Sequence, residues 1–239
     1  MRRFDSGPRL QKQIMKFADV LRTLGAPCLA ALLFPASFLH GGLATATVTK
    51  YRGFAIDESA VPHLADREAV QASTREQIDI VCAVGLPPEV LAFLQREQFV
   101  LVPAGTLKGD PGLYDRRDKS VKISADIVRI GHKPVLLHEL LCAFHDQRLE
   151  GGFANPAILS FYEQAKAIPA FPAGSHMMSS QADFFACSAT TFLFGVTAQE
   201  PFQREKIKAH QPEFFAYLQK LFGPNAGNYA GSLTAPTGP

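Results

Sequence analysis

The sequence predicts one α+β domain with a small mixed sheet and a helical C-terminal half. Short β-rich segments flanked by turn residues lie at 51–60, 98–105 and 120–124. Apolar residues at helical spacing dominate the region 133–223. A chain that groups its strands before its main helices is typical of α+β folds. With 47% hydrophobic residues among 239, the chain is long enough for one well-packed core.

The first 46 residues have the features of a secretory signal peptide. Basic residues precede an apolar run at 26–39, and the triplet ATA at 44–46 is a small-x-small cleavage pattern. The run is shorter than the about 20 apolar residues that a membrane helix needs. We therefore expect export to the periplasm or the extracellular space, with membrane contact only through this leader. A leader that stays attached as an anchor is the alternative.

The remaining chain is assigned to a single domain at 47–230 and a disordered tail at 231–239. The net charge is only +2, and no long Lys/Arg stripe interleaves with aromatic residues. This weak basic balance excludes a nucleic-acid-binding surface. A monomer is expected.

Each element follows from local signals in chain order. The segment 66–85 has apolar residues at helical offsets and ends at a glycine, and 87–97 starts with proline, so both are predicted helices. The segment 133–152 is a strong helix with an apolar leucine face and a Gly-Gly end. Further helices are predicted at 155–167, at 181–195 and, as one or two helices, at 201–223.

The helix at 133–152 carries the first chemical motif. His138-Glu139 begins like the zinc-peptidase motif H-E-x-x-H, with Cys142 where the second histidine would stand. Residues four apart share one helix face and can reach one zinc ion, while the glutamate can take a proton from a zinc-bound water. His145 lies seven residues from His138, about 10 Å along the helix axis, too far to share that ion. An ordinary surface pair on a helix is the alternative.

Four segments over roughly 98–223 carry a resemblance to a known family. In order, they are GLYDRRDKSVKIS, VLLHELLCAFHD, SHMMSSQADFFACSATTFLFG and PFQREKIKAHQPEFFAYLQKLFG. Together they resemble bacterial zincin-type metallopeptidases of the anthrax lethal-factor-like group. In that group a turn and strand precede the H-E-x-x-H helix, and a later E-F-F-A-E-like helix supplies the third zinc ligand. The resemblance implies a zincin-like fold, a zinc ion and peptide or protein substrates.

The resemblance also implies roles for individual residues. His138 matches the first zinc ligand, Cys142 stands at the second, and Asp183 stands at the third. Glu139 matches the general base. His176 falls near a tyrosine that steadies the oxyanion in this group.

Two cysteines depart most from the family pattern. Cys142 replaces a histidine, and Cys187 replaces the second glutamate of the later motif. Three alternatives stay open: Cys142 binds zinc with Cys187 behind it, the two form a disulfide, or both are small buried hydrophobes together with Cys82.

Two functions follow from the resemblance. The first is an exported zinc metallopeptidase that, if active, hydrolyses peptide bonds through a zinc-activated water. The second is a catalytically inactive zincin-fold protein that binds a peptide or a cell-envelope partner. An unrelated secreted helical domain is a third alternative.

Overall fold

A five-stranded mixed sheet forms one layer of the computed structural model, which describes residues 47–223 and 226–227. Its order is β1-β2-β3-β5-β4, with β3 parallel to β2 and β5 and the outer pairs antiparallel. The strands are β1 Val48–Tyr51, β2 Phe54–Asp57, β3 Gln98–Val102, β4 Gly112–Asp115 and β5 Ser120–Ser124. The predicted leader, 1–46, and the predicted tail, 231–239, lie outside the described residues.

Seven α-helices follow or interrupt the strands within the described residues. They are α1 Arg67–Ala83, α2 Pro88–Leu94, α3 Val135–Arg148, α4 Pro156–Ala165, α5 Gln181–Phe194, α6 Arg204–His210 and α7 Pro212–Phe222. The predicted α+β class, the small mixed sheet and the helical C-terminal half are therefore confirmed. None of the described helices combines the length and the apolarity that crossing a membrane requires.

The apolar pattern of α3 explains its place at the centre of the core. Leu136, Leu137, Leu140 and Leu141 are fully buried, because the leucine face packs between the sheet and α5. The helix α5 is buried along nearly its whole length and ends at Gly195, whose φ of 100° favours glycine. The close packing of α3 on α5 brings the two motif helices together.

The strand β4 approaches α3 so closely that one position admits no side chain. A Cβ on Gly112 would lie 2.8 Å from Cγ of Glu139 and 2.9 Å from Cγ1 of Val135. Both contacts are shorter than van der Waals distance, so α3 or β4 would have to move. Gly112 is therefore the residue that lets the edge strand lie against the motif helix.

We expect Gly112→Ala to lower the free energy of unfolding by about 1–3 kcal/mol, the usual cost of overpacking. Urea titration followed by circular dichroism measures the change. Gly174→Ala is the matched control, since nothing lies within 4 Å of its added Cβ. Equal stability of the two variants would show that β4 does not lie against α3 as described.

Candidate metal centre

Three nitrogen and sulfur donors meet at the contact between α3 and α5. The ligand atoms of His138, His176 and Cys187 all lie within 4.8 Å of one another. His138 projects from α3, Cys187 from α5, and His176 from the short 3-10 turn His176–Met178 that precedes α5. The two imidazole rings are tilted by 35° with centroids 6.0 Å apart. In the part of the chain that the structure describes, no other trio of potential ligands is this close.

Asp183 lies beside this three-donor group rather than in it. Its Oδ1 is 3.9 Å from Nε2 of His176. Its Oδ2 accepts hydrogen bonds from the hydroxyls of Ser179 and Ser180, at 2.5 Å and 2.6 Å. The Ser180 hydroxyl in turn accepts a hydrogen bond from the Asp183 N–H and so caps the N-terminus of α5. The carboxylate is thus fixed at the start of α5, beside the imidazole of His176.

Cys142 is buried on the face of α3 that lines the same cleft. Burial raises the pKa of the Cys142 thiol well above its usual range, and burial raises the pKa of Cys187 to about 12. Cys82, Cys142 and Cys187 are all free thiols in this structure, so the disulfide alternative is not formed. Of the two site cysteines, only Cys187 belongs to the three-donor group.

Glu139 lies next to the three-donor group and is held by β4. The backbone N–H of Tyr114 donates to its Oε2 at 2.8 Å. Burial raises the pKa of Glu139 to about 8, against the lowering effect of the Tyr114 hydrogen bond, and the charges of Asp183 and Asp110 raise it further. A carboxyl group with this pKa can both take and give a proton near neutral pH.

His138 is neutral at physiological pH. Burial lowers its pKa to about 4, the nearby His176 lowers it further, and Asp183 opposes both. A neutral imidazole is the form that donates a lone pair to a metal ion.

A cleft of about 780 Å³ runs over the three donors. Its walls come from β4, from the beginning of α3, from α5 and from the loop after α5. The lining residues include Asp110, Leu113, Tyr114, Ile130, Lys133, Phe153, Thr190, Thr197 and Glu200, in addition to the site residues named above.

The donor set fits zinc. Two imidazoles and one thiolate are ligand types that zinc prefers, and three protein ligands leave a fourth position open, as in catalytic zinc sites. The sequence motifs place His138, Glu139, Cys142, Asp183 and His176 around one cleft, and the structure brings all five to its walls.

Two features of the centre were missing from the sequence prediction. None of the three alternatives for Cys187 made it a ligand, yet its Sγ is one of the three grouped donors. Its position four residues after Asp183 on one helix face was the available signal. The Tyr114 N–H that holds Glu139 had no signal, because it depends on where β4 lies in the sheet.

Comparisons with protein-family models, with curated proteins and with solved structures gave no match to this chain.

Proposed function

We propose that this chain is a zinc-dependent, metallopeptidase-like protein that hydrolyses peptide bonds. The observation that carries the proposal is the group formed by His138, His176 and Cys187, beside Glu139, in a cleft bordered by an edge strand. The fold is proposed to be zincin-like, because a strand at the sheet edge lies against the helix that bears the His-Glu pair.

His138, His176 and Cys187 are proposed to hold the zinc ion. When bound, zinc supplies Lewis acidity and lowers the pKa of a water molecule at its open position. Asp183 orients His176 through the 3.9 Å contact and the two serine hydroxyls. This geometry favours His176 as a ligand over the oxyanion role that the family resemblance implies.

The outer edge of β4 supports an extended peptide as the ligand. The carbonyl of Pro111 accepts the Ser124 N–H at 3.0 Å, while the Tyr114 N–H turns to Glu139. Backbone groups alternate in direction along a strand, so Gly112 and Tyr114 face away from β5. An extended chain can therefore add to this edge through the backbone groups of Gly112 and the carbonyl of Tyr114, as in β-strand addition. The carbonyl carbon of a bound peptide would then lie near Glu139.

Glu139 is proposed to act as the general base and then as the general acid. Its pKa of about 8 keeps the proton exchangeable near neutral pH. The Tyr114 N–H fixes Oε2, so the carboxylate group is held against β4 at the wall of the cleft.

Export through the leader 1–46 is part of the proposal. N-terminal sequencing of the protein recovered from the cell envelope would test it, with Thr47 as the expected first residue after cleavage.

Zinc content and peptide hydrolysis of the purified protein test the function together. We expect about one zinc per chain and slow cleavage of a quenched fluorescent peptide library. Glu139→Gln should retain the zinc and lose at least about a hundredfold in rate, in line with removal of an acid-base group. Equal rates of library cleavage by the wild type and by Glu139→Gln would contradict the proposed acid-base role of Glu139.

A catalytically inactive peptide-binding protein is the second candidate. It is favoured by the position of Cys142, which puts a buried thiol where the family has a ligand. Peptide binding without cleavage, in a protein that holds one zinc per chain, would support this candidate and exclude the peptidase.

A further inference from the structure

The cleft extends past the metal centre along α5. Asp183, Cys187 and Thr190 line it in succession, and Thr190 lies about 5 Å beyond Cys187 along the helix axis. The ring of His132 packs on Phe194 with centroids 5.6 Å apart, which brings the segment 130–134 to the same end of α5. We call this region the α5 arm, and it is lined by Ile130, Lys133, Pro134, Thr190, Thr197 and Ala198.

The loop that closes the α5 arm is held in place by its own hydrogen bonds. The Thr197 N–H donates to the carbonyl of Phe202 at 2.7 Å, and Val196 pairs with Gln203. The hydroxyls of Thr191 and Thr197 are 2.9 Å apart and tie the loop to α5. The arm is therefore preformed.

Thr190 presents a buried hydroxyl without a partner. The residue is 3% exposed, and its Oγ1 forms no hydrogen bond within the described residues. A buried helical threonine ordinarily bonds back to the carbonyl four residues earlier, as Thr74 does to Val70 at 2.7 Å. Leaving such a group unpaired is unfavourable, so an unpaired hydroxyl on a residue that lines the cleft indicates a ligand group.

Lys133 is an exposed residue that gives the α5 arm a positive charge. Its ammonium group forms no ion pair with the described part of the chain. The neighbouring charges are compensated, since Glu200 pairs with Lys206 at 2.5 Å and His132 with Glu76 at 2.7 Å. The Lys133 backbone is fixed by the Gln77 side chain, which donates to its carbonyl at 2.7 Å.

We propose that the α5 arm binds a carboxylate of the peptide ligand, through the Thr190 hydroxyl and the Lys133 ammonium group. This inference rests on the proposed function for its peptide ligand. The carboxylate belongs to an Asp or Glu side chain or to the free C-terminus. Because one extended residue spans about 3.5 Å, it lies within about two residues of the metal centre. Lys133 and Thr190 are thus specificity-determining residues.

Retention of peptides on immobilised, zinc-loaded Glu139→Gln protein tests the proposal without requiring hydrolysis. The probes are random octapeptide mixtures with one position fixed as Glu, Gln, Lys or Leu, each made as the free acid and as the C-terminal amide. Mass spectrometry of the retained fraction measures the preference. We expect Glu over Gln, or acid over amide, by about tenfold, as for a hydrogen bond to a charged group. Whichever pair differs identifies the source of the carboxylate.

Two further substitutions in the Glu139→Gln protein test whether the carboxylate preference comes from the α5 arm. Thr190→Val and Lys133→Gln should each reduce it about fivefold or more, while Lys220→Gln, on α7 and outside the cleft, leaves it unchanged. Thr190→Val should melt no lower than its parent, because it removes an unpaired hydroxyl.

The outcomes distinguish a failure of the carboxylate site from a failure of the proposed peptidase function. Equal retention of all mixtures, no retention, or a preference that survives both substitutions overturns the carboxylate site. Hydrolysis by the wild type without a carboxylate preference overturns the site and leaves the peptidase. Carboxylate-selective retention without any hydrolysis supports the site and excludes the peptidase.

Discussion

Cys187→Ser is expected to weaken zinc binding by about a hundredfold or more, whereas Cys142→Ser should change it by only a few fold. The reason is that Sγ of Cys187 lies within 4.8 Å of the donor atoms of His138 and His176. Losing one of three protein ligands removes a large share of a binding free energy of several kcal/mol. Asp183→Asn should fall between the two, at about tenfold, because Asp183 lies beside His176 and is proposed to orient it when zinc is bound.

Competition with a chromophoric zinc chelator under reducing conditions measures these affinities. The Cys187 thiol must lose its proton to bind, and its pKa is raised to about 12 by burial, so zinc binding should also release a proton. A large loss in Cys142→Ser and none in Cys187→Ser would restore the ligand set predicted from the sequence, His138, Cys142 and Asp183.

His145→Leu is expected to make the metal-free protein more resistant to acid, by about 2–3 kcal/mol between pH 7.5 and 4.5. His145 is fully buried, and neither ring nitrogen has a hydrogen-bond partner among the described residues. The rings of Phe185 and Phe153 pack on it, with centroids 4.7 Å and 5.1 Å away. Burial lowers its pKa to about 4, against the opposing charge of Asp146.

The sign of this effect follows from proton linkage. The unfolded chain takes up a proton at His145 below about pH 6.5, and the folded chain does so only below about pH 4. The stability contributed by the neutral imidazole is therefore present above pH 6.5 and is lost as the pH falls toward 4. Leucine does not titrate, so the variant does not lose this stability at low pH. Leucine also has no unpaired ring nitrogens, and its volume is similar to that of histidine.

Urea unfolding of the wild type and of His145→Leu at a series of pH values measures the difference. His63→Leu, which removes an exposed imidazole, is the matched control and should follow the wild type. If the free energy of unfolding changes with pH in the same way for the wild type and for His145→Leu, then His145 is not buried in its neutral form.

The helices were predictable because each depends on local patterns. Leucines recur at helical spacing along one face of α3, and α5 is a nearly continuous apolar run. Both helices lie close to the predicted bounds. Pro212 starts α7 and separates it from α6, so the predicted closing segment divides into two helices.

The order of the sheet depends on contacts between segments that are distant in sequence, whereas β4 depends on its hairpin with β5. The four residues of β4, GLYD, alternate in burial, but their sequence does not alternate between apolar and polar residues. They form a strand because they pair with β5, which itself lies beside β3. The pairings of β2 with β3 and of β3 with β5 join segments that are far apart in sequence, and these leave no local signal.

The sequence correctly predicts that α3 contributes to the site, but it does not predict which residues form the set of metal ligands. The spacing of His138 and Cys142 correctly places both on one wall of the cleft. The remaining donors depend on how α5 and the turn before it pack on α3, which spacing within one helix does not determine. As a result Asp183 lies beside His176, and Sγ of Cys187, one turn further along α5, lies near the ring nitrogens of His138.

X-ray absorption spectroscopy of the zinc-loaded, reduced protein tests the central claim most directly. The proposed centre predicts one sulfur at about 2.3 Å and two imidazole nitrogens at about 2.0–2.1 Å. The sulfur signal should disappear in Cys187→Ser and persist in Cys142→Ser. A zinc shell with one imidazole and a carboxylate, or a sulfur that disappears only in Cys142→Ser, would contradict it.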